Sequence, residues 1–252
     1  MEKTDAGAKK GFRNIWKPVA ATVHRWGSSF VQLFFPHRCV VCGNLLQEGE
    51  EVLCLRCNIR MPRTHFHQHI DNYVERLFWG KLPLGHASSY IFYQKGSACS
   101  RILHALKYEG RQDVGNVMGR WMAAELQETG FFDGVDVIVP VPLHRKRQRM
   151  RGYNQSECLA RGIAQVTGIP VDVSSVERVK HTQTQTHRSA FDRWVNVEGI
   201  FRLQCPESFV GKHVLVVDDV LTTGATTTAC ADVFAGIEGI CISVLTLAVA
   251  ER

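Results

Sequence analysis

Apolar residues along this 252-residue chain change period several times, and the changes mark out its elements. Phe12, Ile15, Trp16, Val19, Val23, Trp26, Phe30 and Phe34 recur at helical spacing, which predicts an amphipathic helix after a polar, Lys-rich tail over residues 1–11. Pro18 fits such a helix only near its start, so the helix begins about Ile15. From residue 87 the pattern turns to α/β. Short Val-rich runs predict strands over 89–93, 135–141, 171–176, 199–203, 212–217 and 240–249. Helical spacing appears between them, at Ile102, Leu103 and Leu106, then Val117, Met118, Trp121, Met122 and Leu126, then over 153–166. Gly110 is placed to end the first of these helices. Strands alternating with helices predict a mostly parallel sheet flanked by helices. The expected organisation is a tail and helix over 1–34, a small module over 35–62, a linker over 63–86 and an α/β domain over 87–252.

The richest stretch is 214–227, Val-Leu-Val-Val-Asp-Asp-Val-Leu-Thr-Thr-Gly-Ala-Thr-Thr. A buried strand is expected to end at Val217, just before Asp218 and Asp219. Thr222, Thr223, Gly224, Ala225 and Thr226 then make a strand-to-helix turn. Gly224 permits positive φ, and the hydroxyls are placed to cap the helix. The first amides of a helix have no intrahelical acceptor and the macrodipole favours negative charge there, so the turn suits a phosphate monoester. The carboxylates would repel a phosphate. They suit sugar hydroxyls, a metal ion or developing positive charge. The other common phosphate loop needs Gly-Lys-Ser/Thr, and that triplet is absent.

Net charge is +6, from 30 basic and 24 acidic residues, which fits phosphorylated ligands or nucleic acid and does not choose between them. Arg145, Lys146, Arg147, Arg149 and Arg151 crowd one segment that follows a strand. Its first residues, Pro142, Leu143, His144, Arg145 and Lys146, lie where open α/β sheets bind ligands and read as a diphosphate clamp. The later arginines read equally as a nucleic-acid contact or a solvated loop. The polar stretch 178–196 reads as a functional loop that closes over a substrate.

Cys39, Cys42, Cys54 and Cys57 form two C-x2-C pairs separated by eleven residues. Four thiolates at this spacing predict a structural zinc site with no open coordination position. The apolar residues around it, Val40, Leu45, Leu46 and Leu53, are too few for a core, so the metal is expected to supply the folding energy. His65, His67 and His69 alternate and would share one face of a strand. They read as a half-exposed connector face, because nothing nearby in sequence completes a ligand set. No apolar run is long enough to span a bilayer and the N-terminus lacks a leader's apolar core, so a cytoplasmic protein is expected.

Several stretches together resemble the ComF family: Leu106 to Arg111, Val139 to His144, Arg151 to Ser156, the spaced Arg178, Thr182, Gln185, Arg193 and Asn196, and Val216 to Gly224. A four-cysteine zinc module ahead of the body is also a ComF arrangement. The resemblance implies a type I phosphoribosyltransferase fold, use of phosphoribosyl diphosphate with magnesium, and a link to competence and DNA uptake. It implies that Asp218 and Asp219 act on the ribose, that 222–226 hold the 5-phosphate, and that 142–146, Lys107 and Arg111 hold the diphosphate. Thr182, Gln185 and Arg193 would belong to the closing loop. The acceptor is expected to be a nitrogen nucleophile. The alternative is a non-catalytic accessory protein that keeps this fold and holds single-stranded DNA or a DNA-uptake helicase.

Overall fold

The computed structural model describes residues 37–179 and 199–250. The N-terminal helix expected over 1–34 lies outside these residues, as do Thr182, Gln185 and Arg193 of the expected closing loop.

The body is a four-stranded parallel sheet built from β1 (Leu84–Tyr93), β2 (Val137–Pro140), β5 (His213–Leu221) and β6 (Cys241–Ala250), in the order β1-β6-β5-β2. Helices cover both faces. On one side lie α3 (Ala98–Tyr108), α4 (Gln112–Gln127) and α6 (Gln155–Thr167), packed on Leu215, Val217, Leu245 and Leu247. On the other lie α2 (Tyr73–Phe78) and α7 (Ala225–Asp232), packed on Val214, Val216, Ile242 and Val244. Alternate residues of β5 thus feed separate cores, as the period of two requires. Helices α4 and α6 approach closely at glycines. A Cβ on Gly119 would lie 2.2 Å from the Leu159 carbonyl oxygen, and one on Gly162 2.2 Å from that of Asn116.

Four expectations change. First, β5 does not stop at Val217. Strand β6 runs alongside it to the end, pairing Asp218 with Thr246 and Val220 with Ala248, so the acid pair lies inside the strand. Second, the strand expected over 171–176 breaks. Val171 makes one parallel bridge to Ile138, and the Asp172 carboxylate then accepts from the amides of Ser174 (2.8 Å) and Ser175 (3.0 Å) and turns the chain. The following β3 (Val176–Arg178) pairs antiparallel with β4 (Phe201–Leu203) in a separate ribbon. Third, the basic segment read as a loop is helical from Arg145: α5 (Arg145–Arg151) starts at His144, whose Nδ1 accepts from the Lys146 amide at 3.2 Å, and ends at Gly152 in the left-handed region. Fourth, the 63–86 stretch is not a bare connector. Asn72 and Glu75 make a reciprocal capping box that starts α2, and Val74 and Phe78 are fully buried in the second core.

The Cys module, with its short helix α1 (Leu55–Ile59), also shares the body's core. Cys39, Val52, Leu53 and Met61 are buried in the first cluster, so the module leans on the body as well as on any metal. Polar ties add to this. Arg101 of α3 donates to the Val41 carbonyl, Arg120 of α4 pairs with Glu51, and Arg63 donates to Asn58. Among the described residues no helix is long and apolar enough to cross a membrane.

Candidate functional site at the end of strand β5

Because β5 continues through them, Asp218 and Asp219 project to opposite faces of the sheet. The Asp218 carboxylate turns toward α6 and α7. Its Oδ1 accepts from the Ser156 hydroxyl (3.1 Å) and the Asp219 amide (2.8 Å), and its Oδ2 from the Thr227 hydroxyl (3.0 Å). Only 8% of the residue is exposed. Burial, followed by the neighbouring Asp219 charge, pushes its carboxyl up to about 6, against the hydrogen bonds and Lys107 that favour ionisation. Asp219 faces the other way, and its Oδ2 lies 3.0 Å from Lys107 Nζ of α3 in a half-buried ion pair.

The turn that follows has the expected left-handed glycine at a helix start, and its hydroxyl capping is weak. Gly224 occupies the N-cap of α7 with φ 78°, a conformation that strains any residue bearing a Cβ. Gly224 has no side chain to cap the helix, but the Thr223 hydroxyl accepts a long hydrogen bond (3.5 Å) from the Ala225 amide. Thr222 and Thr226 are exposed, whereas Thr227 is buried and spent on Asp218. The Phe78 ring of α2 comes within 3.9 Å of where a Gly224 Cβ would stand. A residue from the expected linker therefore backs the turn.

The expected diphosphate groups divide. Lys107 sits on Asp219. Arg111 pairs with Asp113 (2.7 Å), and Arg145 with Glu177 of β3 (2.6 Å). The start of the basic segment, Val141 to His144, is held against the site. The Val141 amide donates to the Val217 carbonyl (2.8 Å), and Asn154 Nδ2 donates to the Val141 carbonyl (3.0 Å) while its Oδ1 caps α6. Lys146 is exposed. Sequence reasoning passed over two side chains here, the hydroxyls of Ser156 and Thr227, and it placed Arg178 in the closing loop. Arg178 is instead half-buried on β3, with burial and the Arg147 charge lowering its guanidinium and the Asp218 charge favouring it.

The four thiols of Cys39, Cys42, Cys54 and Cys57 lie within 4.8 Å of one another, with Cys42 Sγ 3.7 Å from Cys54 Sγ. Four sulfurs at about 2.3 Å from a zinc lie roughly 3.8 Å apart, so the group fits that ion. Burial opposes ionisation of Cys39, but the amides of Cys42, Cys54 and Val41 outweigh it and bring the thiol down to about 7. Burial and the neighbouring thiols push Cys57 up, which is the repulsion a dication removes.

No protein-family model matches the chain. The DNA utilization protein YhgH of Escherichia coli K12 is 30% identical over 192 residues, covering 75% of this chain and 79% of the relative. Its counterpart in Salmonella typhi is 37% identical over 130 residues, 50% of this chain and 56% of the relative. Competence protein F of Haemophilus influenzae is 30% identical over 210 residues, 77% of this chain and 88% of the relative. Two solved structures align at 21% identity: a glutamine phosphoribosylpyrophosphate amidotransferase from B. subtilis with ADP and GMP (TM-score 0.36), and an allosteric regulatory enzyme of purine biosynthesis (TM-score 0.35). The chain spans 30% and 29% of those chains, and likeness at this level carries no functional argument.

Proposed function

The chain belongs to the ComF family of phosphoribosyltransferase-like competence proteins, and from that premise we propose that its body binds phosphoribosyl diphosphate and transfers the ribosyl 5-phosphate to a nitrogen acceptor, in the cytoplasm, in the service of DNA utilisation. The observation that carries this reading is the Asp219–Lys107 pair at the carboxyl end of β5, beside a helix that starts on a left-handed glycine. In this reading the 5-phosphate rests on the first-turn amides of α7 and on the hydroxyls of Thr222, Thr223 and Thr226. Asp219 meets the ribose, and Lys107 bridges from it to the diphosphate. Asp218 is a positioning residue. Through Thr227 and the Asp219 amide it fixes both the turn and its neighbour's backbone.

As the bond to the diphosphate breaks, the sugar gains positive charge that a carboxylate held in place stabilises, while cations stabilise the departing oxygens. Arg111 and Arg145 would each have to exchange a carboxylate partner for the diphosphate, whereas the 142–144 segment is already set beside β5. Magnesium would enter with the diphosphate and neutralise part of its charge; among the described residues the body offers Asp219 to it and no cage of carboxylates. The Cys quartet would hold a structural zinc.

Thermal denaturation with and without donor tests the binding. A donor that binds only the native state should, at a hundredfold its Kd with magnesium, add about 2.7 kcal/mol. An unchanged transition at saturating donor would remove the reading. Diphosphate release with a panel of amines and bases then separates transfer from binding alone.

A second reading rests on α5, whose Arg149 and Met150 are exposed beside the site. It makes this helix a contact for single-stranded DNA. Salt-dependent DNA binding that disappears in an Arg147→Ala, Arg149→Ala, Arg151→Ala variant would support it.

A further inference from the structure

His65 and His67 do not lie on a strand. A 3-10 turn over Phe66–Gln68 brings the two rings to within 6.1 Å of each other, centre to centre, and both face Glu125 of α4, from a distant part of the chain. His65 Nδ1 is 3.6 Å from Glu125 Oε1 and His67 Nε2 is 4.0 Å from the same oxygen. One ligand atom from each residue lies within 4.8 Å of the others.

Two of these atoms are buried without a hydrogen-bond partner, His67 Nε2 and Glu125 Oε1. The His67 side chain is 2% exposed. Buried polar groups are normally satisfied, and a pair left open toward the same point needs a cause. A cation between them would supply it. We propose that His65, His67 and Glu125 form a second metal site, for a divalent ion of the zinc class.

The donor chemistry supports the assignment. Two imidazoles and one carboxylate are a common three-ligand set for zinc and its neighbours, leaving a fourth position for water. Ligands at about 2.0–2.1 Å in a tetrahedron stand roughly 3.4 Å apart. Against the observed separations this takes roughly 0.2–0.6 Å of closure from Glu125 and, for imidazole nitrogens within 4.8 Å of each other, up to about 1.4 Å. The carboxylate is already oriented by a neighbour. Arg63 Nε donates to Glu125 Oε2 at 2.7 Å and leaves Oε1 facing the histidines. The same guanidinium donates to the Asn58 carbonyl and side chain in α1. The site therefore sits at the joint between the Cys module and the body, and an ion there fastens one to the other. The Arg63 charge lowers its affinity, so it fills after the Cys quartet.

The test uses the full chain with one zinc already on the Cys quartet, titrated with zinc and, separately, with cobalt(II). One further equivalent is expected, and the added cobalt should show weak visible bands without the near-ultraviolet thiolate charge transfer of a cysteine site. His65→Ala, whose side chain is half exposed, should weaken this equivalent at least tenfold. Glu125→Gln should do the same. Both variants should keep the first zinc, which reports that they are folded. His69→Ala should leave the second equivalent unchanged. Binding of a single equivalent by the unaltered chain, or a second one that survives both His65→Ala and Glu125→Gln, would overturn the site.

Discussion

In the Cys module four thiols converge within 4.8 Å of one another, whereas at the end of β5 two adjacent carboxylates diverge to opposite faces of the sheet. The first group gathers sulfurs that repel one another once ionised, and in the zinc reading a cation offsets that repulsion. The second separates its like charges and gives each carboxylate its own partners, hydroxyls and an amide for Asp218, an ammonium for Asp219. The contrast follows from the backbone. A C-x2-C knuckle folds two thiols back on one point, while a strand sends neighbours apart. Clustered chemistry in the module thus fits a shared cation. In the body it signals a division of labour, one acid for structure and one for ligand.

Breaking the module's centre should have the largest effect. Cys54→Ser, or chelation of the zinc, removes binding energy that in small zinc domains amounts to about 10 kcal/mol or more. Here Val52, Leu53 and Met61 remain available to pack on the body, so the expected loss is smaller, on the order of several kcal/mol. It should be confined to the module. Limited proteolysis should cut within 37–62 while the sheet stays protected, and metal analysis should show the loss of zinc. A variant that keeps its zinc and its protection would mean that apolar docking alone holds the module.

The ligand-facing acid comes next. Asp219→Asn should weaken donor binding by about a hundredfold, roughly 2.7 kcal/mol, because it removes the charge that meets the ribose and holds Lys107. The ion pair is half-buried, so the melting temperature should move little. Calorimetric titration with donor and magnesium measures the first effect and thermal denaturation the second. Equal donor affinity in Asp219→Asn and the unaltered chain would erase the proposed division.

Much of this was legible in the chain. Residues that act through local spacing could be read directly: the Cys quartet, the Gly224 turn, the helices around Leu106 and Met118. The acid pair could be found but not split. Its division depends on where β5 ends, and that is set by β6, which supplies ladder partners to Leu221 from a separate part of the sequence. The same holds for the break at Asp172, where a side-chain turn outcompetes a Val-rich run. His65 and His67 looked incomplete because their third ligand lies on α4. The 63–86 stretch looked like a linker because the burial of its helix rests on just two residues one turn apart, Val74 and Phe78.

Gly224 offers a finer probe of the turn. Its φ of 78° costs any residue with a Cβ about 1–2 kcal/mol, while the space around it would accept a methyl group at ordinary contact distance. Gly224→Ala should therefore lower stability by that amount in chemical denaturation without disturbing the core. It should also lower donor affinity, since relief of the strain re-aims the first amides of α7. A loss of stability with donor binding intact would detach the turn from the phosphate.

The smallest expected effect isolates Asp218. Its carboxyl is raised to about 6 by burial and by the Asp219 charge, against an ordinary value of 3.8. The protonated form is thus the one the fold prefers. Its contribution to stability is complete below about pH 4 and is lost as the pH rises through 6. Asp218→Asn keeps an acceptor for Ser156 and the Asp219 amide, and the Thr227 hydroxyl can rotate to receive the new amide hydrogen. The variant should lose the slope between pH 4 and 6. At pH 7.5 it should match or exceed the unaltered chain by on the order of 1 kcal/mol, with the Arg178 charge nearby limiting the gain. Thermal melts across that pH range decide the matter. A variant that is less stable at pH 7.5 than at pH 4, relative to the unaltered chain, would mean that Asp218 is held as a carboxylate, and the two acids would then carry one role instead of two.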